Sequence, residues 1–331
     1  MKAIVYDTYG SPDVLQVREI ATPVPGDKDV LVRVHATSVN YGDLAGRNFA
    51  AVTPRAFNMP MLFWVMAKLY FGLGKPRNGI LGSEFSGEVE SVGKDVTAFR
   101  KGDRVFGYLG QKMGAYAELL SMPENGPIAT MPTTMNFEQA AVAPYGAMMA
   151  LHFLRKAQIR PGQKVLVNGA SGGIGSAAVQ IAKHFGAEVT GVCGAGRMDY
   201  VHALGADTVI DYKREDFTQR GEEYDLIVDI RGRLPYSQAK RELKKDGRIL
   251  YVSFKTKHLL LMLRTALFGG PKVLCTLAPG SREDLLAVRD LIEQGQLKTV
   301  VAERFPMSGA ADAHRLVEGG KKSGAVAITF A

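Results

Sequence analysis

The stretch Lys164-Val-Leu-Val-Asn-Gly-Ala-Ser-Gly-Gly-Ile-Gly175, running on into Ser176-Ala-Ala-Val-Gln-Ile-Ala182, carries the clearest chemistry in this sequence. It reads as a short apolar strand, a glycine-rich turn and a helix with a small-residue face. Glycines let a backbone come close to a ligand, and the first N–H groups of a helix have no partner within it. Together these features suit the pyrophosphate of a dinucleotide. Ala170 takes the place of the first glycine of a G-x-G-x-x-G run, Gly172 would admit the pyrophosphate, and Gly175 would let the helix pack on the strand. Ser171, Gly173 and Ile174 would offer backbone N–H groups.

A second chemical feature lies one strand further on. In NAD-preferring proteins of this plan, an acid at the end of the second strand binds the ribose 2′-hydroxyl. Here that place falls to Cys193, followed by Gly194-Ala-Gly-Arg197. No carboxylate competes with a 2′-phosphate, and Arg197 is near enough in sequence to pair with one, so NADPH is expected over NADH. Lys183, on the first helix, is a weaker candidate for the same charge. Ser253, closing the run Arg248-Ile-Leu-Tyr-Val-Ser253, joins the cofactor-binding set.

The elements that must position these residues alternate. After the glycine turn, the sequence predicts a helix to about Phe185, then strands at Gly186–Cys193, Thr208–Asp211, Tyr224–Asp229 and Arg248–Ser253. Helices at Met198–Leu204 and Tyr236–Lys244 separate them. This is the pattern of a Rossmann-type, doubly wound parallel sheet. The first third is strand-rich instead, with short runs at Val30–Ala36, Glu88–Val92, Arg104–Gly107 and Ala115–Leu120 punctuated by Gly and Pro, as in a small antiparallel barrel. Phe137 to Lys156 reads as helix interrupted near Pro144-Tyr-Gly146. Ser281 caps a helix through Ile292, and Val300–Arg304 and Ala325–Phe330 return to strand character. The expected division is a β-rich domain of residues 1–126 and 278–331, interrupted by a nucleotide-binding domain of residues 127–277.

The 331 residues include 41 Lys and Arg against 33 Asp and Glu, a formal charge of +8. That charge suits an anionic cofactor. Without an arginine-rich run or interleaved aromatics it does not point to nucleic acid. Cys193 and Cys275 cannot build a disulfide scaffold or a four-thiolate zinc site, so a reducing, cytoplasmic setting is expected. The N-terminus reads as a strand rather than a signal peptide. No apolar run reaches the roughly 20 residues that span a bilayer.

Several short motifs recur in order along the chain: Ser38-Val-Asn-Tyr-Gly-Asp43, Leu81-Gly-Ser-Glu-Phe-Ser-Gly87, the run Gly93–Phe106 with its Gly-Asp-Arg-Val, the glycine turn, Leu204-Gly-Ala-Asp207 with Val209-Ile-Asp-Tyr212, and Gly324-Ala-Val-Ala-Ile328. In these the chain resembles the medium-chain dehydrogenase/reductase superfamily, and within it the zinc-independent, quinone-oxidoreductase-like (zeta-crystallin-like) branch. The resemblance covers nearly the whole chain. It implies a GroES-like catalytic domain, a Rossmann domain and an active site in the cleft between them. It also implies that Tyr212 contacts the adenosine phosphate.

Zinc-bearing members of the superfamily place a cysteine, a histidine and a further cysteine or acid where this chain has Asn40, Ser83 and Pro144. Zinc needs three or four converging N, S or carboxylate ligands, and Glu84 alone cannot supply them. The histidines, His35 among them, read as packed or surface residues. No metal is therefore expected. Without a Lewis acid, simple alcohol oxidation gives way to hydride delivery onto an electron-poor acceptor, a quinone or an α,β-unsaturated carbonyl.

The resemblance places Asn40, Tyr41 and Asp43 beside the nicotinamide as the catalytic set. Asn40 would hydrogen-bond an acceptor carbonyl, and Tyr41 would donate a proton or line the cleft. Met149 and Ala325 depart from a threonine and a lysine common in the family. The greasy stretches 58–75 and 257–270 would wall a cleft for an apolar small-molecule acceptor, touch a membrane peripherally, or pack as core. A homodimer pairing the outer strand near Lys272–Thr276 follows from family precedent. Two alternatives stand beside the quinone or enone reductase: an NADPH-binding protein of low activity with an RNA- or partner-binding role, and an enoyl-thioester reductase.

Overall fold

A computed structural model of the chain describes residues 1–57, 59–320 and 322–330. Asn58, the first residue of the 58–75 stretch, and Ala331, the last of the 278–331 segment, lie outside the described residues. The strands are β1 (Lys2–Val5), β2 (Gln16–Glu19), β3 (Asp29–Ser38), β4 (Glu84–Val92), β5 (Arg104–Tyr108), β6 (Leu119–Pro123), β7 (Ile128–Thr130), β8 (Lys164–Asn168), β9 (Glu188–Cys193), β10 (Thr208–Asp211), β11 (Tyr224–Asp229), β12 (Leu243–Tyr251), β13 (Lys272–Cys275), β14 (Val301–Pro306) and β15 (Ala325–Thr329). The α-helices are α1 (Tyr41–Arg47), α2 (Met61–Phe71), α3 (Phe137–Ala141), α4 (Pro144–Lys156), α5 (Gly173–His184), α6 (Met198–Ala203), α7 (Tyr236–Ala239), α8 (Thr256–Phe268), α9 (Arg282–Glu293) and α10 (Ala310–Glu318).

By packing, the chain forms two compact units. The first comprises residues 1–53, 66–148 and 280–331, and the second residues 54–65 and 149–279. The helical region from Phe137 to Met148 thus packs with the β-rich unit.

In the first unit a sheet runs β14-β15-β3-β4-β5-β7, with β6 also pairing β3. All its pairs are antiparallel except β14–β15. Alternate residues of β3, Val30, Val32 and Val34, enter one core cluster with Phe85, Val105, Val326 and Ile328. This is the period-2 burial that its sequence predicts. A buried polar seam ties the last helix to the end of α1 and, through Tyr116, to the end of β3. His314 Nδ1 lies 3.0 Å from Arg47 Nη1, and its Nε2 lies 3.0 Å from the Tyr116 hydroxyl, which donates to the Ser38 carbonyl. Arg47 can only donate, so His314 accepts at Nδ1 and carries its proton on Nε2. Burial, with Arg47 beside it, pushes the His314 pKa down to about 3, and Arg47 also pairs with Glu318.

In the second unit, six parallel strands run in the order β10-β9-β8-β11-β12-β13. The parallel sheet expected from the strand–helix alternation is present, and its order reverses between β8 and β11. Ligands of such sheets bind at the carboxyl ends of the strands around that point.

Two local expectations are corrected. Ala115–Glu118 are not in a named strand; Ala117 makes only an isolated bridge to Ala3, and β6 starts at Leu119. The helix expected over Tyr236–Lys244 ends its α-turns at Ala239, because Leu243 is drawn into register with Tyr224. The interruption expected near Pro144 is present: α3 ends at Ala141 and α4 begins at Pro144, where its missing N–H costs nothing.

Candidate active site

In the second unit the glycine turn joins β8 to α5. Gly169 adopts φ +100°, so the residue with the left-handed backbone sits one place before Ala170. The Gly169 and Ala170 N–H groups both donate to the Val192 carbonyl at 3.0 Å. Ala170 is fully buried, its methyl turned toward Gly191. Its role is therefore to seat the turn on β9. Gly172 is the N-cap of α5, and no side chain caps the helix. A Cβ at Gly175 would lie 2.1 Å from the Gly169 carbonyl oxygen, so glycine is required there for α5 to close on the turn. A Cβ at Gly173 would meet nothing within 4 Å. The space over the helix start is open and its first N–H groups have no helical partner, which fits an anionic group such as a pyrophosphate. Ser171 precedes the N-cap and is half-buried, and Ile174 lies in the first turn of α5.

At the end of β9, Cys193 is buried and its carbonyl accepts the Tyr212 N–H at 3.1 Å. Burial raises its thiol pKa, against the pull of nearby Arg197. A Cβ on Gly194 would lie 3.3 Å from an Arg197 guanidinium nitrogen and 3.5 Å from the Tyr212 ring. The structure thus brings Cys193, Arg197 and Tyr212 together around Gly194. One carboxylate is near: Asp211, opposite Cys193 in the parallel register. It is buried, accepts the Lys213 N–H at 3.1 Å and lies 3.8 Å from Arg214, so it serves its own turn. Lys183 is not part of this group, since its Nζ donates to both Asp207 oxygens at 2.8 Å. Ser253 lies beyond β12, its carbonyl closely approached by Gly232. Buried Asp229, at the end of β11, accepts from Asn168 Nδ2 at 3.1 Å and the Leu234 N–H at 2.8 Å, fixing the reversal point of the sheet.

The predicted catalytic residues lie in the first unit, at the start of α1. Asn40 caps that helix: its Oδ1 accepts the Gly42 N–H at 2.8 Å, and its Nδ2 donates to Ser83 Oγ at 2.7 Å. Asp43 is fully buried and accepts N–H groups from Asn40 at 2.9 Å and Gly82 at 3.0 Å. Both its oxygens are thus spent on the backbone, which makes Asp43 a positioning residue for the two segments that carry Asn40 and Ser83. Tyr41 is 61% exposed, and its hydroxyl has no hydrogen-bond partner among the described residues.

Sequence reasoning weighed Glu84 only as a zinc ligand and did not single out its partners Ser38, Tyr145 and Lys322. Glu84, buried at the start of β4, accepts from the Ser38 hydroxyl and from the Tyr145 N–H at 2.7 Å. Burial raises its pKa to about 7, although Ser38, Tyr145, Asn40 and Lys322 each hold it down. Asp43 is also pushed up to about 7, chiefly by burial. Lys322 donates to the Gly324 carbonyl at 3.1 Å, and burial lowers its pKa while Glu84 raises it. It places an ammonium three residues before Ala325, where the family's lysine is missing. Tyr108 and Tyr145 pack 6.3 Å apart, and burial pushes the Tyr145 phenol up to about 12. The available signal for Glu84 was an acid set within the apolar motif Leu81–Gly87, a position that only a partnered carboxyl can hold.

Among the described residues, no group of three or more His, Cys, Asp or Glu is placed to hold a metal ion. At Asn40 and Ser83, two of the three positions that the family resemblance matches to zinc ligands, an amide and a hydroxyl bond to each other. His35 stacks on Phe137 with ring centroids 4.2 Å apart.

Comparison with known proteins places these two sites in context. An alcohol dehydrogenase GroES-like domain family matches residues 26–133, and a zinc-binding dehydrogenase family matches residues 204–328. The chain is 31% identical to the chloroplastic quinone-oxidoreductase QR1 of Triphysaria versicolor, over 99% of this chain and 98% of that one. A quinone oxidoreductase from Coxiella burnetii superposes with a TM-score of 0.85 at 29% identity, over 99% of both chains. The Escherichia coli quinone oxidoreductase complexed with NADPH superposes with a TM-score of 0.81 at 26% identity, over 99% of this chain and 100% of that one.

Proposed function

Because the chain belongs to the medium-chain dehydrogenase/reductase superfamily, in its quinone-oxidoreductase-like branch, we propose that it is a zinc-independent oxidoreductase that uses NADPH in preference to NADH and reduces quinones or carbon–carbon double bonds activated by a carbonyl. The observation that carries this reading is the Asn40–Ser83 hydrogen bond of 2.7 Å, an uncharged pair at two positions where relatives place zinc ligands. When bound, the nicotinamide supplies a hydride, and the chain's residues do the rest. Gly172, Gly173 and Ile174 would hold the pyrophosphate through backbone N–H groups. Arg197, with Tyr212 beside it, would pair with the 2′-phosphate.

On the acceptor side, the Ser83 hydroxyl already accepts from Asn40 and keeps its own proton to give. Asn40 thereby orients a donor toward an oxygen on which negative charge develops, the function of an oxyanion hole. Tyr41, exposed and unbonded, can donate a proton to an enolate, which is basic enough to take it. Asp43 and Glu84 hold the frame behind them. With pKa values near 7, they add less fixed negative charge behind the developing oxyanion than ordinary carboxylates would. The edge position of β13 suits pairing in a homodimer. No helix among the described residues is long and apolar enough to cross a membrane.

The test is NADPH consumption against a panel of quinones, enones and enoyl thioesters, with metal content measured on the same protein. Turnover of quinones or enones without stoichiometric metal is expected. Tight NADPH binding without turnover would give the protein a binding role instead, and a strong preference for acyl-carrier thioesters would make it an enoyl reductase. Tyr41→Phe should lower enone turnover about tenfold or more; unchanged turnover would mean that water delivers the proton.

A further inference from the structure

The charge of this chain is unevenly distributed. No Asp or Glu occurs between Asp43 and Glu84, nor between Asp246 and Glu283. The first gap holds five Lys and Arg and the second six; taking these eleven from the total of 41 leaves 30 against all 33 acids elsewhere, so the formal charge of +8 arises within the two gaps.

Each gap contains a helix that turns large apolar side chains outward. On α2 the exposed positions are Met61, Leu62, Val65, Met66, Leu69 and Tyr70, a single stripe at helical spacing with no polar member, and no α2 residue is buried. On α8, Leu260, Leu263 and Leu267 are exposed at i, i+3 and i+7, followed by Phe268 at 83% exposure. The other side of α8 buries His258 and Thr265 and sends Leu259, Leu261 and Met262 against the core of the second unit. A surface helix ordinarily turns its polar side to water. On α2 apolar side chains take that place, on α8 they share it with the exposed Lys257 and Arg264, and most of the exposed large hydrophobic residues among those described lie on or beside these two helices.

Within the second unit the two segments adjoin. Met59, just before α2, packs in the same cluster as Leu259, Leu261 and Met262, and Lys255 Nζ donates to the Arg55 carbonyl at 2.6 Å. Arg55, Lys257 and Arg264 have no carboxylate partner among the described residues. The surface therefore asks for an occupant that is apolar inside and negative at its boundary. A bilayer with anionic headgroups meets both demands, taking the leucines and Phe268 at the headgroup boundary and drawing in the lysines and arginines.

We propose that the α8 face of the second unit, with the adjoining start of α2, docks onto an anionic lipid surface. The contact is interfacial, since neither helix can cross a membrane. It does not depend on which acceptor is reduced.

Flotation of the whole chain with phosphatidylcholine vesicles, and with vesicles also containing phosphatidylglycerol, tests this. Binding to the mixed vesicles should be about tenfold tighter or more, and should weaken with salt. The pair Leu263→Glu and Leu267→Glu, and separately the pair Lys257→Ser and Arg264→Ser, should each lower partitioning by about tenfold or more. All four positions are exposed, and unchanged thermal melting would confirm that the fold is kept. No retention on mixed vesicles, or retention untouched by both pairs, overturns the proposal. So does conversion of an oligomer to a monomer by the glutamate pair with vesicle binding unchanged, which would assign the face to a second copy.

Discussion

The two candidate sites handle their polar groups in opposite ways. At the turn after β8, the α5 N-terminus has no capping side chain and Gly173 faces open space, so its donors await a ligand. Around Asn40, nearly every donor and acceptor is taken: Asp43 by two N–H groups, Glu84 by Ser38 and Tyr145, and the Asn40 amide by Gly42 and Ser83. The first is a receptor for charge brought from outside. The second is a braced frame with few uncommitted groups, Tyr41 and the Ser83 hydroxyl among them. Binding tolerates an unfilled cradle because solvent fills it in the meantime. A catalytic frame must already be organised when the acceptor arrives.

The contrast can be broken by substitution. The largest effect should come from Gly175→Val, which forces heavy atoms onto the Gly169 carbonyl; nucleotide affinity by calorimetry should fall by about a hundredfold or more, with a lower melting temperature. Glu84→Gln probes the braced frame through pH. A carboxyl whose pKa is raised on folding from 4.5 to about 7 contributes most in its protonated form, and its contribution is lost as pH rises through that window. The wild type should therefore lose stability relative to Glu84→Gln between about pH 4.5 and 7, by a few kcal/mol in all; parallel denaturation curves across this range would show that Glu84 ionises as it does in the unfolded chain. Arg197→Glu should raise the KM for NADPH by about 10- to 100-fold while leaving that for NADH much less changed, and equal effects would remove Arg197 from the phosphate pocket. The smallest change in stability belongs to Gly173→Ala, within about 0.5 kcal/mol. Its nucleotide affinity should still drop, because the added methyl enters the open space over the cradle.

The same contrast explains how much the residues revealed in advance. The cradle is local: strand, turn and helix are contiguous in sequence, and Thr208–Asp211 and Tyr224–Asp229 were bounded correctly because β-branched runs are cut by turn residues on both sides. The frame is assembled from β3, α1, β4, α4 and the approach to β15. Nothing in the neighbourhood of Lys322 announces that it will stand beside Glu84, some 240 residues earlier. The Tyr236–Lys244 region failed for a related reason, since a helix-forming composition yielded to the pairing of Leu243 with Tyr224. The outward apolar stripes of α2 and α8 were visible as composition, but their direction was not, because uniformly apolar runs carry no phase.

The strand that completes the first sheet has a consequence for synthesis. Thr37 of β3 faces Ile328 of β15, and the His314 seam fastens α10 to Arg47 and Tyr116. A growing polypeptide cannot make these pairings until residues 325–329 have left the ribosome, whereas everything the second sheet needs has emerged by about residue 279. The nucleotide-binding half can therefore mature first, while the opening segment waits, its hydrophobic strands unprotected, for the tail to arrive.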